Sequence, residues 1–114
     1  MSLPFSEYRV AGNLVFTSGQ IGLNEEGKLV GESVEEQTHQ TMKNLQKVLE
    51  SAGVGFNEVV KTTVYITDFT EFPKINEIYV SYLKEPYPTR ETVAVKALAF
   101  GAKLEISMVA AKNS

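Results

Sequence analysis

The clearest pattern in the chain is a helical one between residues 33 and 52. Apolar or threonine side chains recur there every three or four residues, which is the spacing of one face of an α-helix. Ser33, followed three residues later by Glu36, makes a capping box at the start, and Gly53 stands where a C-terminal cap belongs. The pattern predicts a helix over 33–52, with inward positions at Val34, Thr38, Met42, Leu45, Leu49 and Ala52.

Two other stretches alternate with a period of two, as strands do. NLVFTSGQIG (13–22) predicts a strand with Leu14, Phe16 and Ser18 on one face and Val15, Thr17 and Gly19 on the other. NEVVKTTVYITD (57–68) predicts a second strand, with Val60, Thr62, Val64 and Ile66 facing one way. Between the first strand and the helix, LNEEGKLVG favours a loop or hairpin tip around Gly27.

A second helical pattern follows in DFTEFPKINEIYVSYLKE, residues 68–85. Thr70 is the predicted N-cap, and Pro73 is tolerated because it falls in the first turn. The prolines of EPYP end the helix. The predicted inward side chains are Phe72, Ile75, Ile78, Tyr79, Tyr82 and Leu83.

The last pattern, YPTRETVAVKALAFGAKLEISMVA (87–110), predicts two strands paired as a hairpin. If the turn centres near Ala99 and Phe100, Val95 lies opposite Leu104 and Val93 opposite Ile106, on the face that the helices cover. The other face then carries Arg90, Thr92, Ala94 and Lys96, opposite Val109, Ser107, Glu105 and Lys103 respectively. On this register Arg90 and Glu105 share a face but stand roughly 13 Å apart along the strand.

The order of strands and helices predicts an α+β fold, a mixed sheet with two helices packed on one face. Such a fold leaves the other sheet face uncovered, although Thr63, Tyr65 and Val109 make it half apolar. Self-association, with a polar cleft at the seam, would explain both features. The alternative is an ordinary solvated sheet surface, on which Arg90 and Glu105 have no special role.

Composition narrows the class of protein. The 114 residues favour one domain, 1–114, and 43% hydrophobic with 22% charged residues is typical of a globular chain. No apolar run is long enough for a membrane helix, and no secretory signal is expected. The absence of cysteine excludes disulfides and thiolate chemistry and fits a cytoplasmic protein.

The charged and polar residues offer few other sites. A net charge of −3 without a basic cluster argues against nucleic-acid binding. A single histidine excludes a multi-histidine metal site within one chain, and His39 falls on the polar helix face, where a solvated surface role is expected. Ser18 has no histidine and aspartate partners in a motif, so a nucleophilic triad is unsupported.

Three segments, in order, resemble the RidA (YjgF-like) family of reactive intermediate deaminases. They are GNLVFTSGQIG, VVKTTVYITD and PTRETVAVKALAFGAKLEISMVA, and the similarity runs from about Pro4 to Ala110. The resemblance implies a chorismate-mutase-like fold and a homotrimer whose sheets line a central barrel, with clefts between subunits. It also implies hydrolysis of imines and enamines, such as 2-aminoacrylate and 2-iminobutyrate, to 2-keto acids and ammonia without a metal or organic cofactor.

The resemblance assigns roles to individual residues. Arg90 matches the arginine that binds the substrate carboxylate, and Glu105 matches the glutamate that activates water. Ser18 and Gly19 match the loop beside the ligand, Asn76 a helix asparagine near the neighbouring cleft, and Thr92 a position that is often cysteine. Phe5 replaces a tyrosine of the family, which removes a hydroxyl that could order water or the imine nitrogen.

Two other functions stay open at this stage. A non-catalytic protein that binds a small carboxylate or keto acid would keep Arg90 and show no turnover. Some members of the family are described as ribonucleases or translation inhibitors, which the acidic balance of this chain disfavours. The physiological substrate and the size of its side chain are not specified by the sequence.

Overall fold

The computed structural model describes residues 3–112, in which two α-helices pack against a mixed five-stranded sheet. The predicted α+β class is therefore confirmed. The elements are β1 (Tyr8–Ala11), β2 (Leu14–Thr17), α1 (Val34–Ser51), β3 (Val59–Ile66), α2 (Phe72–Ser81), β4 (Thr89–Ala94) and β5 (Leu104–Ala111). Neither helix is long and apolar enough to cross a membrane.

Helix α1 forms where the periodicity predicts it. The Ser33 hydroxyl accepts a hydrogen bond from the Glu36 N–H (3.1 Å) and donates one to the Glu36 carboxylate (3.0 Å), which satisfies the first turn. Gly53 follows the helix with φ +82°, a conformation that glycine adopts without a steric cost. All six predicted inward side chains of this helix are buried.

Helix α2 begins differently from the prediction. Asp68, rather than Thr70, caps this segment, because its carboxylate accepts hydrogen bonds from the Thr70 N–H (2.9 Å) and hydroxyl (2.7 Å). A 3₁₀ turn, Phe69–Glu71, then leads into α2, with Pro73 in the first turn as predicted. Of the predicted inward side chains, Ile75, Tyr79 and Leu83 are buried, and Phe72, Ile78 and Tyr82 are half-buried.

The predicted hairpin of the last two strands is wrong. The strand order is β1-β2-β5-β3-β4, so β3 lies between β4 and β5. β4 pairs parallel with β3 through the α2 crossover, and β5 pairs antiparallel with β3 and β2. A strand–helix–strand unit closes in this way because a helix can span the length of a parallel crossover, which a tight turn cannot.

The corrected pairing moves Arg90 to the other side of the sheet. In the parallel register Arg90 stands beside the buried Thr62, on the face covered by the helices, whereas Glu105 stands beside Tyr65 on the uncovered face. The prediction that Arg90 and Glu105 share a face is therefore wrong. Val93 changes sides for the same reason, and it is 43% exposed beside Tyr65 instead of packed under a helix.

A register shift also corrects the start of β3. The pairing with β5 is irregular between Val59 and Lys61, so the alternation slips by one residue there. Val59 is buried in the core, and Val60, predicted to face inward, is 48% exposed. From Thr62 onward the predicted alternation holds, with Thr62, Val64 and Ile66 all buried.

The sheet face away from the helices is uncovered in a single copy, as predicted. It combines apolar side chains with charged ones, including an ion pair between Lys61 and Glu91 (3.6 Å). The exposed or half-buried apolar residues of this face, named here the open face, are Leu14, Phe16, Tyr65, Val93 and Val109. An apolar surface of this extent is typical of a surface that binds a partner.

One buried polar side chain joins the helical layer to the sheet. Gln37 of α1 is 1% exposed, and its amide nitrogen donates to the Gly31 carbonyl (2.8 Å). Its amide oxygen accepts from the Lys103 N–H (2.8 Å), directly before β5 begins. Gly22 packs against the Gln37 backbone, where a Cβ would stand 2.9 Å from the Gln37 Cα. Gln37 was not singled out in the sequence, because a pattern of apolar residues does not place a polar residue in the core.

Candidate active site

The predicted site residues fall into two groups on opposite faces of the sheet. Arg90, Asn76 and Thr92 belong to the helix-covered side near the β4 edge. Glu105, Gly19 and Ser18 belong to the side of β5 and the loop after β2. Two inter-strand spacings and three residues separate Arg90 from Glu105, roughly 14 Å along the sheet.

The guanidinium of Arg90 is held in place from three sides. Its Nη1 donates a hydrogen bond to the Asn76 Oδ1 (2.6 Å), and its Cζ lies 5.2 Å from the ring centres of both Phe72 and Tyr79. Cation–π contacts of this kind favour a fixed position over the rings. Among the described residues Asn76 is the one hydrogen-bond acceptor of this guanidinium, so donors remain for a ligand carboxylate.

Tyr79 supports this arrangement from beneath. Its hydroxyl donates to the Thr62 Oγ1 (3.1 Å), and Thr62 is the register partner of Arg90 in the neighbouring strand. Burial raises the pKa of the Tyr79 phenol, so the hydroxyl stays protonated as a donor. Thr92 follows on the same face of β4, half-buried beside Val64.

An open cavity of about 300 Å³ lies against Arg90 and is named here the arginine pocket. Its lining residues are Asn76, Tyr79, Val80, Tyr87, Pro88 and Arg90. A positive group with an amide beside it and apolar walls around it suits a small organic acid. The sequence assigned Tyr79 to the core and gave Tyr87 no role, although Tyr79 stands three residues after Asn76, a spacing that places both on one helix face.

Glu105 lies against the chain that follows β2. A Cβ added to Gly19 would stand 2.7 Å from the Glu105 Cδ, so the carboxylate occupies the space that glycine leaves. The neighbouring Gln20 and Ile106 exchange backbone hydrogen bonds of 2.8 and 3.0 Å, which fixes this loop along β5. Burial raises the pKa of the Glu105 carboxyl above its ordinary 4.5 and makes the carboxylate a stronger base.

Ser18 and the N-terminal segment that contains Phe5 are joined by hydrogen bonds next to Gly19. The Ser18 N–H donates to the Glu7 carbonyl (2.9 Å), and its hydroxyl donates to the Ser6 carbonyl, so the N-terminal segment is tied to the loop. Phe5 precedes Ser6 and is 59% exposed. The structure therefore brings the predicted Ser18, Gly19 and Glu105 together, with Phe5 adjacent along the chain.

The described residues contain no cluster of three or more His, Cys, Asp or Glu side chains suited to a metal ion. Another cavity, about 170 Å³, lies elsewhere, at the end of β3 beside Asp68, Glu71 and Lys103. Lys103 and Glu71 form an ion pair there (3.6 Å). His39 is exposed, as predicted, and its Nδ1 is hydrogen-bonded to the Tyr82 hydroxyl (2.8 Å), which joins α1 to the end of α2.

Gly19→Ala is expected to lower turnover with little loss of stability. The new methyl group would displace the flexible end of Glu105 rather than backbone, so the change in unfolding free energy should stay within about 1 kcal/mol. The displaced carboxylate should reduce the rate of the reaction proposed below by roughly tenfold or more, since small misplacements of catalytic groups are costly. Gly55→Ala, where a Cβ meets nothing within 4 Å, is the control. Equal rates for both variants would show that Glu105 has no positional role.

Comparison with known proteins identifies the family of the chain. The family model described as Endoribonuclease L-PSP matches residues 1–112. The chain belongs to this family, which includes the YjgF and RidA proteins. The predicted family is therefore confirmed.

Several relatives of the chain carry deaminase names, including the two that follow. Reactive Intermediate Deaminase A, chloroplastic, of Arabidopsis thaliana is 46% identical over 108 residues, which is 94% of this chain and 58% of the relative. The chain thus spans less than two thirds of that protein's length. The 2-iminobutanoate/2-iminopropanoate deaminase of Homo sapiens is 40% identical over 108 residues, 94% of this chain and 79% of the relative.

Solved structures in the Endoribonuclease L-PSP family share the fold closely. RidA from the Antarctic bacterium Psychrobacter sp. PAMC 21119 has a TM-score of 0.93 at 36% identity and covers 98% of this chain and 91% of its own. E. coli TdcF, solved with bound serine, has a TM-score of 0.91 at 32% identity, covering 99% and 91%. The two helices and the five-stranded sheet described above are the arrangement that these proteins have in common.

Proposed function

We propose that this protein hydrolyses reactive 2-imino acids, and their enamine forms, to 2-keto acids and ammonia. Arg90 binds the substrate carboxylate, and Glu105 activates the attacking water. The observation that carries the proposal is the guanidinium of Arg90, fixed by Asn76 and two rings at the wall of an open pocket. A fixed, planar cation with free donors suits bidentate binding of a carboxylate. The deaminase names of two relatives support the same reaction class.

The reaction requires a base that removes a proton from water and then transfers protons from oxygen to nitrogen. Glu105 takes a proton from water while the water oxygen bonds to the imine carbon, and the C=N π electrons move to nitrogen, which receives that proton from Glu105. The tetrahedral intermediate then loses ammonia as the C–N bond breaks and the C=O bond forms, with Glu105 carrying the proton from oxygen to nitrogen. An enamine enters the same sequence after a proton moves from nitrogen to carbon.

Arg90 and Glu105 serve one substrate only if they come from two copies of the chain. Within one copy they point away from opposite faces of the sheet, roughly 14 Å apart, which exceeds the reach of a three- or four-carbon acid. The apolar open face supplies a surface on which copies can associate. We therefore propose a homotrimer in which the sheets line a central barrel and each site lies between neighbours.

Mixing two inactive variants tests the function and the shared site together. Arg90→Ala and Glu105→Gln chains, unfolded and refolded at equal concentration, should regain about a quarter of the wild-type imine hydrolysis. By random assembly, half of the neighbours on each side of an interface carry the intact residue. Each variant refolded alone is the control. Light scattering on the same samples should give three times the mass of one chain.

Two results would contradict the proposal. Hydrolysis that stays at background in the mixed trimers, while the wild type is active, would place both residues in one copy or remove one of them from the site. A wild-type protein that binds a keto acid without accelerating imine hydrolysis would favour the alternative of a non-catalytic binding protein. The carboxylate-binding half of the site would then be the functional one.

The proposed function also specifies the partners of the protein, whereas its location is predicted from the sequence. The partner is a small imino or keto acid, and no nucleic acid or membrane partner is proposed. A cytoplasmic location is kept as a prediction from the cysteine-free sequence, although one relative is named as chloroplastic. The ribonuclease alternative stays less favoured because the chain carries a net charge of −3, whereas phosphate contacts require clustered cations.

A further inference from the structure

Taking the proposed function as the starting point, we propose that Tyr87 and Val80 form a subsite for the side chain of the substrate. This subsite favours 2-imino acids with an uncharged aliphatic chain over the shortest ones. Both residues line the arginine pocket. Neither was a predicted site residue.

The pocket has the chemistry that such a side chain requires. Tyr87 is 53% exposed and Val80 is 37% exposed, so each presents apolar surface to the cavity that a ligand could cover. Pro88 and Tyr79 complete the apolar lining, and of the described residues that line the pocket Arg90 alone carries a charge. An uncharged chain therefore fits these walls, whereas a second carboxylate or an ammonium group would find no further charged residue to pair with among the lining residues.

Size points the same way. At about 300 Å³ the cavity has room for roughly ten waters, which is more space than a three-carbon acid fills. A carboxylate bound at Arg90 leaves the remaining volume for the substrate's carbon chain. Tyr87 lies three residues before Arg90 in the segment that enters β4, so one short stretch of chain supplies a wall of the subsite and the carboxylate-binding side chain.

The test compares a short and a long substrate in the wild type and in Tyr87→Ala. An amino-acid oxidase would generate the imines of alanine and leucine in place, and calorimetry would measure binding of pyruvate and 4-methyl-2-oxopentanoate. The wild type should have the higher kcat/KM and the tighter binding for the leucine-derived compounds. Tyr87→Ala should lose about tenfold with the long compounds and less than twofold with the short ones, since each lost methylene contact is worth about fourfold.

The control is Phe100→Ala, which removes another exposed aromatic ring, 66% exposed and outside the pocket lining. This variant should keep the wild-type kcat/KM and keto-acid affinity for both the short and the long compounds. A wild type that prefers the short compounds, or a Tyr87→Ala protein that loses both equally, would overturn the subsite. With either outcome, the proposed function stands as long as the wild type hydrolyses the short imine. A wild-type protein that hydrolyses neither imine but binds 4-methyl-2-oxopentanoate more tightly than pyruvate would instead overturn the proposed function and support the subsite.

Discussion

Arg90→Ala should lower kcat/KM for imine hydrolysis on the order of 100-fold and weaken keto-acid binding by a similar factor. A charge-assisted hydrogen bond to a carboxylate is worth about 1.5–3 kcal/mol, and a bidentate pair lies at the upper end. The fold should tolerate the change, because Arg90 is exposed and two cation–π contacts account for about 1 kcal/mol each at most. Initial rates, keto-acid titration and a denaturation curve on the same sample measure all three quantities.

Arg90→Lys separates the shape of the guanidinium from its charge. Lysine keeps the cation but loses the planar fork that binds Asn76 and a carboxylate at once, so it should recover less than a tenth of the activity. Lys74→Ala is the matched control, since it removes an exposed cation of α2 that pairs with Glu35 at 3.8 Å outside the pocket. Full activity in Arg90→Ala would remove this residue from the site.

Glu105→Gln should lower the rate by about 10²–10⁴-fold, down to the background of spontaneous imine hydrolysis, while keto-acid affinity stays within a few fold. Glutamine keeps the shape against Gly19 but cannot accept a proton from water. Glu91→Gln is the control, because Glu91 is an exposed glutamate on the same sheet face, paired with Lys61. Normal turnover in Glu105→Gln would make Glu105 structural, with water activated elsewhere.

The pH dependence gives an independent signature of Glu105. The carboxylate must be ionised to act as a base, so the rate should fall as the pH drops through its raised pKa, with a midpoint above the ordinary 4.5. For stability the sign is opposite. A carboxyl with a raised folded-state pKa stabilises the fold at low pH, and that contribution is lost as the pH rises from about 4.5 through the folded value. Glu105→Gln should therefore be at least as stable as the wild type at neutral pH.

The sequence predicted those parts of the fold that depend on local signals. Helix α1 has its cap, its period and its terminal glycine within one stretch of chain, and all of them are confirmed. Glu105 was assigned correctly to the uncovered face, because Leu104 and Ile106 on either side are apolar and fully buried. Asn76 and Arg90 were named as site residues, and they are hydrogen-bonded to each other.

The failures are non-local. Whether β4 pairs with β5 or with β3 depends on the α2 crossover, and no residue within the last two strands encodes that choice. One wrong pairing then assigned Arg90 to the wrong face and Val93 to the core, because side chains alternate with a period of two. The bulge at Val60 shifted one more residue outward without a glycine or proline to mark it. Tyr79 of the arginine pocket was missed because an aromatic residue on a helix resembles core in any periodicity analysis. Tyr87 was missed because it lies between α2 and β4, outside both periodic patterns.

The buried amide of Gln37 has a consequence for remote substitutions. Its amide oxygen holds the backbone at Lys103, two residues before Glu105, and the Gly22 end of the loop that carries Gly19 packs on the backbone of the same residue. The position of Glu105 relative to Gly19 therefore depends on contacts with Gln37 of α1, which packs on the opposite face of the sheet. In the proposed mechanism, a volume change in the core beneath α1 is expected to displace this carboxylate slightly, so substitutions at positions that never meet a substrate would alter the rate of imine hydrolysis. Helix α1, through Gln37, thus positions the backbone that carries Glu105.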